Sequence, residues 1–437
     1  MAARHSLTFA AAIAAAALAA GTSLAEDVQV LSRGKWKKHQ ARTVAELKGF
    51  ATPKSDERNE FGGWRGRPRV ARSGFFRRRK VGGRWWLIDP DGRRFLSVGV
   101  NSINLKDVDR GQQGGGEWAQ EAADLLREHG FNTLGCWSEW QAFHKVDETR
   151  LPYTPRWNFM ATYKAQRPAA NGPSGYPHET MPVFDAEFEQ FCTKHAERLK
   201  KTREDPWLLG HFSDNELPFR PNALDNYLAL GTQDPGRKAA ARWWEKRVRG
   251  RSRAITTRDR NAFLELVAKR YYRIVSKAIK ANDPNHLFLG SRIHGRTIRP
   301  ALFRAAKGLV DVMSINYYHR WSAEHERMDR WVDAFDGPFL ITEWYAQSVK
   351  SAKTPATGAG FRVQTNAARG RFYQNLALGL LEHPGCVGWH WFKYGGDGDG
   401  FRKGIVDRSR KPHRELLGRM GQLNRRAYAL ARFFVDR

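Results

Sequence analysis

The sequence predicts an α/β chain: a (β/α)8 TIM barrel carrying a short N-terminal extension. Three observations predict it. From residue 95 onward, short apolar runs alternate with amphipathic stretches, the pattern of a parallel sheet joined by crossover helices. Eight such units fit before the C-terminus, the number that a barrel of this kind needs. The 437 residues, 41% of them hydrophobic, suffice for one large core.

Residues 1–25 read as a signal peptide: Arg4 and His5 open it, a small apolar run follows, and Ser23-Leu24-Ala25 fits a cleavage site. The apolar run is too short for a permanent membrane span, so the chain is expected to be secreted or periplasmic, with no membrane span. Residues 26–80 are polar, basic and rich in Gly, Pro and Arg, with little periodicity, and are expected to wrap the main domain. Residues 81–437 form the catalytic barrel. Asp89-Pro90-Asp91-Gly92 is a strong turn signal between the apolar runs 84–88 and 94–100, so a hairpin is expected there.

The expected strands are 95–100, 131–137, 151–159, 207–213, 286–292, 310–317, 338–342 and 386–391. Helices are expected over 117–129, 186–203, 261–282, 300–307, 324–335, 366–383 and 415–434. A long arginine-rich insertion separates strand four from the helix that follows it.

The net charge of +29 is spread along the chain. It leaves two readings open: an anionic partner such as a sulfated or uronic-acid polysaccharide, or a compositional habit of the source. An export leader and the lack of a nucleic-acid motif argue against a nucleic-acid partner. Cys136, Cys192 and Cys386 are too few for a disulfide framework and match no metal spacing. No cofactor and no metal are expected. Asp397 and Asp399 resemble the start of a calcium loop, but Phe401 and Lys403 occupy later ligand positions, so a substrate loop is the reading there.

In such a fold the reactive groups stand where strands end. Glu216 follows the apolar run of strand four, and Glu343 follows that of strand seven. Cleavage of a glycosidic bond needs one protonated and one ionised carboxyl, roughly 5 Å apart on the retaining route. Either glutamate alone reads first as a satisfied loop carboxylate; the pair at two strand ends points to catalysis.

Asn215-Glu216 and Glu343 resemble the acid/base and nucleophile of clan A retaining glycosidases. The strings SDNELPF (213–219), ITEWYA (341–346), GWHWFKY (388–394), KGIVD (403–407) and WWLIDPDGRRFLSVGVNS (85–102) resemble glycoside hydrolase family 50, the β-agarases. The resemblance spans residues 80–430. It implies double-displacement cleavage of β-galactosidic bonds in agarose without a cofactor, with Glu216 as acid/base and Glu343 as nucleophile. Asn215 would bind the 2-hydroxyl of the attacked sugar. Many members carry a substantial N-terminal domain that binds carbohydrate, whereas about fifty residues lie between leader and barrel here. The positive charge is unexpected for neutral agarose, which keeps two alternatives: an enzyme for another acidic or sulfated polysaccharide, and a non-catalytic carbohydrate-binding barrel.

Supporting substrate-binding residues follow from strand ends. Tyr317, rather than Tyr318, is expected to hydrogen-bond Glu343. Arg292 and His294 end strand five and are expected to orient Glu343 or hold a substrate group. Trp391 is expected as a sugar platform, with Trp389 on the same face or in the core. Trp344 reads as platform or packing; Trp137 and Asn101 follow strands two and one. The partner is a polysaccharide or oligosaccharide, neutral or anionic. The sequence leaves the oligomeric state open.

Overall fold

A computed structural model describes residues 26–435 apart from 52, 54–55, 67–68, 108–114, 166–174, 296, 356–357 and 397–400. The expected leader, Asp397 and Asp399 lie outside the described residues. Among those described, no helix is long and apolar enough to cross a membrane.

A six-stranded parallel sheet forms the centre. Its order is Ile293–His294, Met313–Asn316, Phe339–Glu343, Cys386–Trp391, Ser97–Val100 and Thr133–Leu134. Gly210–His211 and Leu287–Phe288 form a separate parallel pair. Single parallel bridges join Leu134 to Tyr153, Tyr153 to Leu208 and Arg156 to Phe212. The fold is thus mixed α/β, with the strands divided between a six-stranded sheet, a pair and isolated bridges. The expected third strand survives only as bridges at Tyr153 and Arg156. Pro152 and Pro155 remove two ladder donors from it, and a helix begins at once, Phe159–Lys164.

Helices cover the sheet as the apolar periodicity requires. Thr257–Asn282 begins on a capping box, with Thr256 accepting from the Asp259 N–H. Its inward side chains, such as Phe263, Tyr271 and Val275, are buried. Asn366–Glu382 is buried over most of its length, sandwiched between strands and other helices. The expected C-terminal helix is two: Arg414–Asn424 and Ala427–Val435.

The segment 26–80 differs from the expectation of little periodicity. Glu26–Ser32 and Lys35–Ala41 pair as an antiparallel hairpin and join Phe361–Val363 in a five-stranded sheet. The alternation was present: Val28 and Val30 are buried between polar neighbours. Further on, Asp56 accepts from the N–H groups of Tyr428 and Ala429 at 2.8 and 3.1 Å and so caps the last helix. The expected hairpin at residues 89–92 forms, pairing Arg84–Ile88 with Arg94–Phe95, and Arg77–Val81 adds a third strand.

Candidate active site

Strand ends bring Glu216 and Glu343 close together, and a single cation joins their surroundings. Arg292 is fully buried and its backbone is left-handed, with φ 48°. Its guanidinium donates to Asn215 Oδ1 at 2.5 Å, to Glu343 Oε2 at 2.9 Å and to the Thr342 carbonyl at 3.0 Å. The ring of Trp137 lies 4.2 Å from the same group, and Arg156 sits 4.9 Å from that ring. Trp137 and Glu216 also carry positive φ, 65° and 53°. Three non-glycine residues in this region, in one pocket, mark a backbone held against its own preference.

Asn316 completes the link. Its Nδ2 donates to Glu216 Oε1 at 2.8 Å and to Asn215 Oδ1 at 3.2 Å, while its Oδ1 accepts from Thr342 Oγ1 at 3.0 Å. The last contact fixes which end of the amide faces Glu216. Asn316 also stands opposite Glu343 in the sheet register, and Glu216 N–H donates to the Arg292 carbonyl at 3.1 Å.

The two carboxyls differ in environment. Glu343 is nearly buried, at 8% exposure; Glu216 is partly exposed. Burial pushes the Glu343 carboxyl above the usual range. Arg292 and the Tyr318 hydroxyl pull it back, and the negative charge of Glu216 raises it further.

Tyr318, not Tyr317, donates its hydroxyl to Glu343 Oε1. The expectation for Tyr317 is corrected by strand parity. Ser314, Asn316 and Tyr318 form one polar file: the Arg292 N–H bonds Ser314 Oγ at 2.8 Å. Tyr317 belongs to the opposite file with Met313 and Ile315. Its ring lies 5.9 Å from Trp331 and its hydroxyl donates to Glu324 at 3.2 Å. His294 is half-buried with its ring 6.2 Å from that of Tyr318, at the pocket edge.

The same parity corrects the tryptophans. Trp389 and Trp391 are fully buried on the helix side of their strand. Trp389 Nε1 donates to Tyr373 at 2.8 Å, and Trp391 packs 5.7 Å from the same ring. Trp391 is therefore core, not a sugar platform. Trp344 is core as well, stacked on Tyr373 at 5.1 Å. His390 takes the other side and meets Ser97 Oγ at 2.8 Å; burial drives its pKa down to about 3, helped by the charge of Arg292. Asn101 is also buried: its Nδ2 donates to the Thr342 carbonyl at 2.8 Å, so it braces the strand behind Glu343 rather than touching substrate.

Asn316, Tyr345 and Lys403 were not anticipated. Tyr345 lies 5.6 Å from Tyr318, and Lys403 Nζ lies 5.4 Å from the Tyr345 ring. Asn316 was open to detection as a polar residue closing an apolar run, two positions before a tyrosine. Asp214, beside Asn215, is buried and accepts from Tyr271 at 2.5 Å and from the Met160 and Ala161 N–H groups at 3.0 and 3.1 Å. Burial pushes its carboxyl up to about 6.

Among the described residues one trio, His211, Asp283 and His286, has the spacing of a metal site. Its nitrogens are already engaged. Trp157 Nε1 donates to His211 Nδ1 at 2.9 Å, which leaves Nε2–H to donate to Asp283 at 2.8 Å. His286 bridges Asp283 and the Asp205 carbonyl. The trio is a hydrogen-bonded strut beneath strand four, with no ring lone pair of His211 left for a cation.

A buried cation binding one of two neighbouring carboxyls at strand ends defines a site with two acids in unlike surroundings, an arrangement suited to acid–base chemistry. No protein-family profile matches the chain. It is 23% identical over 530 aligned residues to β-agarase B of Vibrio sp. (strain JT0107), covering 93% of this chain and 53% of that protein. The chain thus spans about half the length of that curated relative. Among solved structures it is similar to BpGH50, with TM-score 0.83, 28% identity and coverage of 94% of this chain and 96% of that one. The agarase AgWH50C shares the fold, with TM-score 0.72 at 22% identity, covering 89% of this chain and 68% of that one. These likenesses support the agarase-like, family 50 resemblance read from the strings around Glu216 and Glu343.

Proposed function

We propose that the chain is a retaining glycoside hydrolase of family 50 type, acting on β-galactosidic bonds of an agarose-type or related algal galactan. The observation that carries the proposal is the Arg292 guanidinium held between Asn215 and Glu343. It joins the segments of both glutamates while giving them unlike surroundings. Glu343, ion-paired with Arg292 and hydrogen-bonded by Tyr318, is the nucleophile that attacks the anomeric carbon. Glu216, against a neutral amide, is the acid that protonates the leaving oxygen and the base that later activates water. Asn316 donates to Oε1 of Glu216, so the transferable proton belongs on Oε2. Asn215 has its carbonyl oxygen held by two donors, which leaves its N–H2 to meet the 2-hydroxyl of the sugar.

Double displacement, rather than inversion, is supported by the closeness of the two groups. Glu216 bonds the side chain of the very residue that faces Glu343 across one strand spacing, roughly 4.8 Å. Inversion needs a wider gap that admits water. The clan A part of the resemblance rests on the two glutamates alone. We read the parallel bridges through Tyr153, together with the pair at Gly210–His211, as the links that close the strands into an eight-unit ring, with residues 81–437 as the barrel. Residues 1–25 as a cleaved leader make the protein secreted or periplasmic.

Purified protein is incubated with agarose, porphyran and carrageenan, and new reducing ends are followed. NMR of the first product gives its anomeric configuration. Release of reducing ends with retention is expected; inverted product refutes the double displacement, and silence on every polymer and on aryl glycosides refutes the hydrolase. Glu343→Ala should abolish turnover. Glu216→Ala should slow the natural substrate far more than an aryl glycoside with a good leaving group, because the latter needs no proton.

A further inference from the structure

The arginine-rich insertion after strand four folds into the helix Pro235–Val248. Asp234 caps it through the Gly236 N–H at 2.7 Å, with Pro235 at the first position. Gly236 and Ala240 are buried on its inner face, and the Trp243 ring docks 5.3 Å from Phe263 in the second turn of Thr257–Asn282. That long helix runs down to the start of Leu287–Phe288, so its N-terminal turns lie at the rim where strands end. The insertion therefore stands on the same rim as Glu216.

Its outer face is a row of cations. Lys238, Arg242, Lys246 and Arg249 are all exposed, and their steps of four, four and three residues place them on one side of the helix. Arg251, in the connection after the helix, and Arg258, in the first turn of the next, are also exposed. Of the nearby acids, Asp259 is committed to Arg247 and Arg253 at 3.0 and 2.6 Å and Asp225 to Arg260 at 2.6 Å, while exposed Glu245 is the one carboxylate on the helix itself, set against the cations on either side of it. Among the described residues, Arg242, Lys246, Arg249, Arg251 and Arg258 enter no ion pair. Like charges four apart oppose the helix that carries them, so the row has no role in holding it. Half-buried Trp244, with the Arg253 guanidinium 4.9 Å from its ring, adds an apolar plane beside the row.

We propose that this face anchors the anionic groups, sulfate esters or carboxylates, of the polysaccharide chain whose linkage lies between Glu216 and Glu343. The proposal rests on the hydrolase reading for its substrate and on the charged row for its chemistry. An extended polymer leaving the cleavage site across the rim passes a line of cations at helical spacing, and each ester it carries releases a counterion on contact.

The test uses the full chain and a variant with R242Q, K246Q, R249Q and R251Q, glutamine being a good helix former on an exposed face. Affinity electrophoresis is run through gels containing carrageenan, alginate or neutral agarose at rising salt, with duplex DNA as a competitor. The parent should be retarded by an anionic polymer, and the stronger of the sulfate and carboxylate arms names the group. The variant should bind it at least tenfold more weakly, with a shallower salt dependence. Its kcat/KM on neutral galactan oligosaccharides should equal the parent's, because none of the four residues belongs to the pocket. Equal retardation of parent and variant overturns the proposal, as does competition by DNA at equal charge concentration, which would make the face a general polyanion surface. Salt-sensitive binding without any hydrolysis would leave the anchor standing and sink the hydrolase; hydrolysis of neutral galactan with no anionic binding would do the reverse.

Discussion

Replacing Arg292 by methionine removes a charge while keeping much of the side chain's bulk. The structure supplies the size of the effect. The guanidinium is fully buried and holds Glu343 at 2.9 Å, Asn215 at 2.5 Å and the Thr342 carbonyl at 3.0 Å. Breaking a buried ion pair by deleting one partner costs about 3–5 kcal/mol, because the surviving charge is left unpaired. Felt in the transition state, that is a loss of about 10²–10⁴ in kcat/KM. The sign follows from Glu343, the nucleophile of the proposed mechanism. Burial already raises the Glu343 carboxyl, and Arg292 is the largest force opposing the rise. Without it the carboxyl climbs further, so the acid limb of the kcat/KM profile moves to higher pH and the deficit shrinks as pH rises through the new value. Stability follows the same linkage. A carboxyl raised in the native state is deprotonated first in the unfolded chain, so native stability falls as pH climbs from the ordinary to the raised value. Relative to the parent, Arg292→Met should therefore be worse at pH 7 than at pH 4 in urea titrations. An acid limb that superimposes on the parent's would refute the assignment of Arg292 as the group that keeps Glu343 ionised.

Tyr318→Phe deletes the hydroxyl donor on Glu343 and should lower kcat by about 10- to 100-fold, the range of a hydrogen bond to a charged group. Tyr317→Phe touches only Glu324 and should change kcat by less than about threefold; steady-state kinetics on one substrate separates the two, and equal losses would contradict the strand parity. Trp391→Ala should destabilise the fold by about 3–5 kcal/mol without raising KM of the folded fraction, since that ring is core; a raised KM at unchanged stability would return it to the substrate. Asp214 is held up to about 6 by burial, so its contribution to stability falls as pH rises from about 4 to about 6, by roughly 3 kcal/mol at 1.36 kcal/mol per pH unit. The stability difference between parent and Asp214→Asn, from urea midpoints, should shrink across that window; a constant difference would show that Asp214 titrates normally.

What the sequence revealed depended on how strongly each segment imposed its own period. Phe339–Glu343 and Cys386–Trp391 are continuous apolar runs of branched and aromatic residues, buried throughout, and they stand out as strands. The third strand, expected over 151–159, is present only as bridges at Tyr153 and Arg156, because Pro152 and Pro155 remove ladder donors and a helix begins at Phe159. The helix Pro235–Val248 escaped notice because its charged face dominates and only small residues and one tryptophan mark the inner side. Glu216, Glu343 and Arg292 stood out as a group, because each ends an apolar run and the structure joins all three through Asn215 and Asn316. The choice between Tyr317 and Tyr318, and the side taken by Trp391, turn on strand phase. That phase was written in the polar file Ser314, Asn316, Tyr318, and a one-residue error in it moves every side chain to the other face.

No local pattern announces that Arg292 is the hub, because its four partners come from three separate strand ends: Trp137, Asn215, and the adjacent Thr342 and Glu343. Each of those contacts exists only if the sheet register between Met313–Asn316 and Phe339–Glu343 is correct, since Asn316 must face Glu343 while reaching Glu216. The strained backbones at Trp137, Glu216 and Arg292 are affordable for the same reason: each is tied to another by a hydrogen bond or a ring contact, so relaxing one breaks the others. A site built this way separates the chemistry of two identical side chains by environment alone, one carboxyl buried against a cation and one resting on an amide. That separation, rather than the presence of two glutamates, is what the proposed double displacement requires.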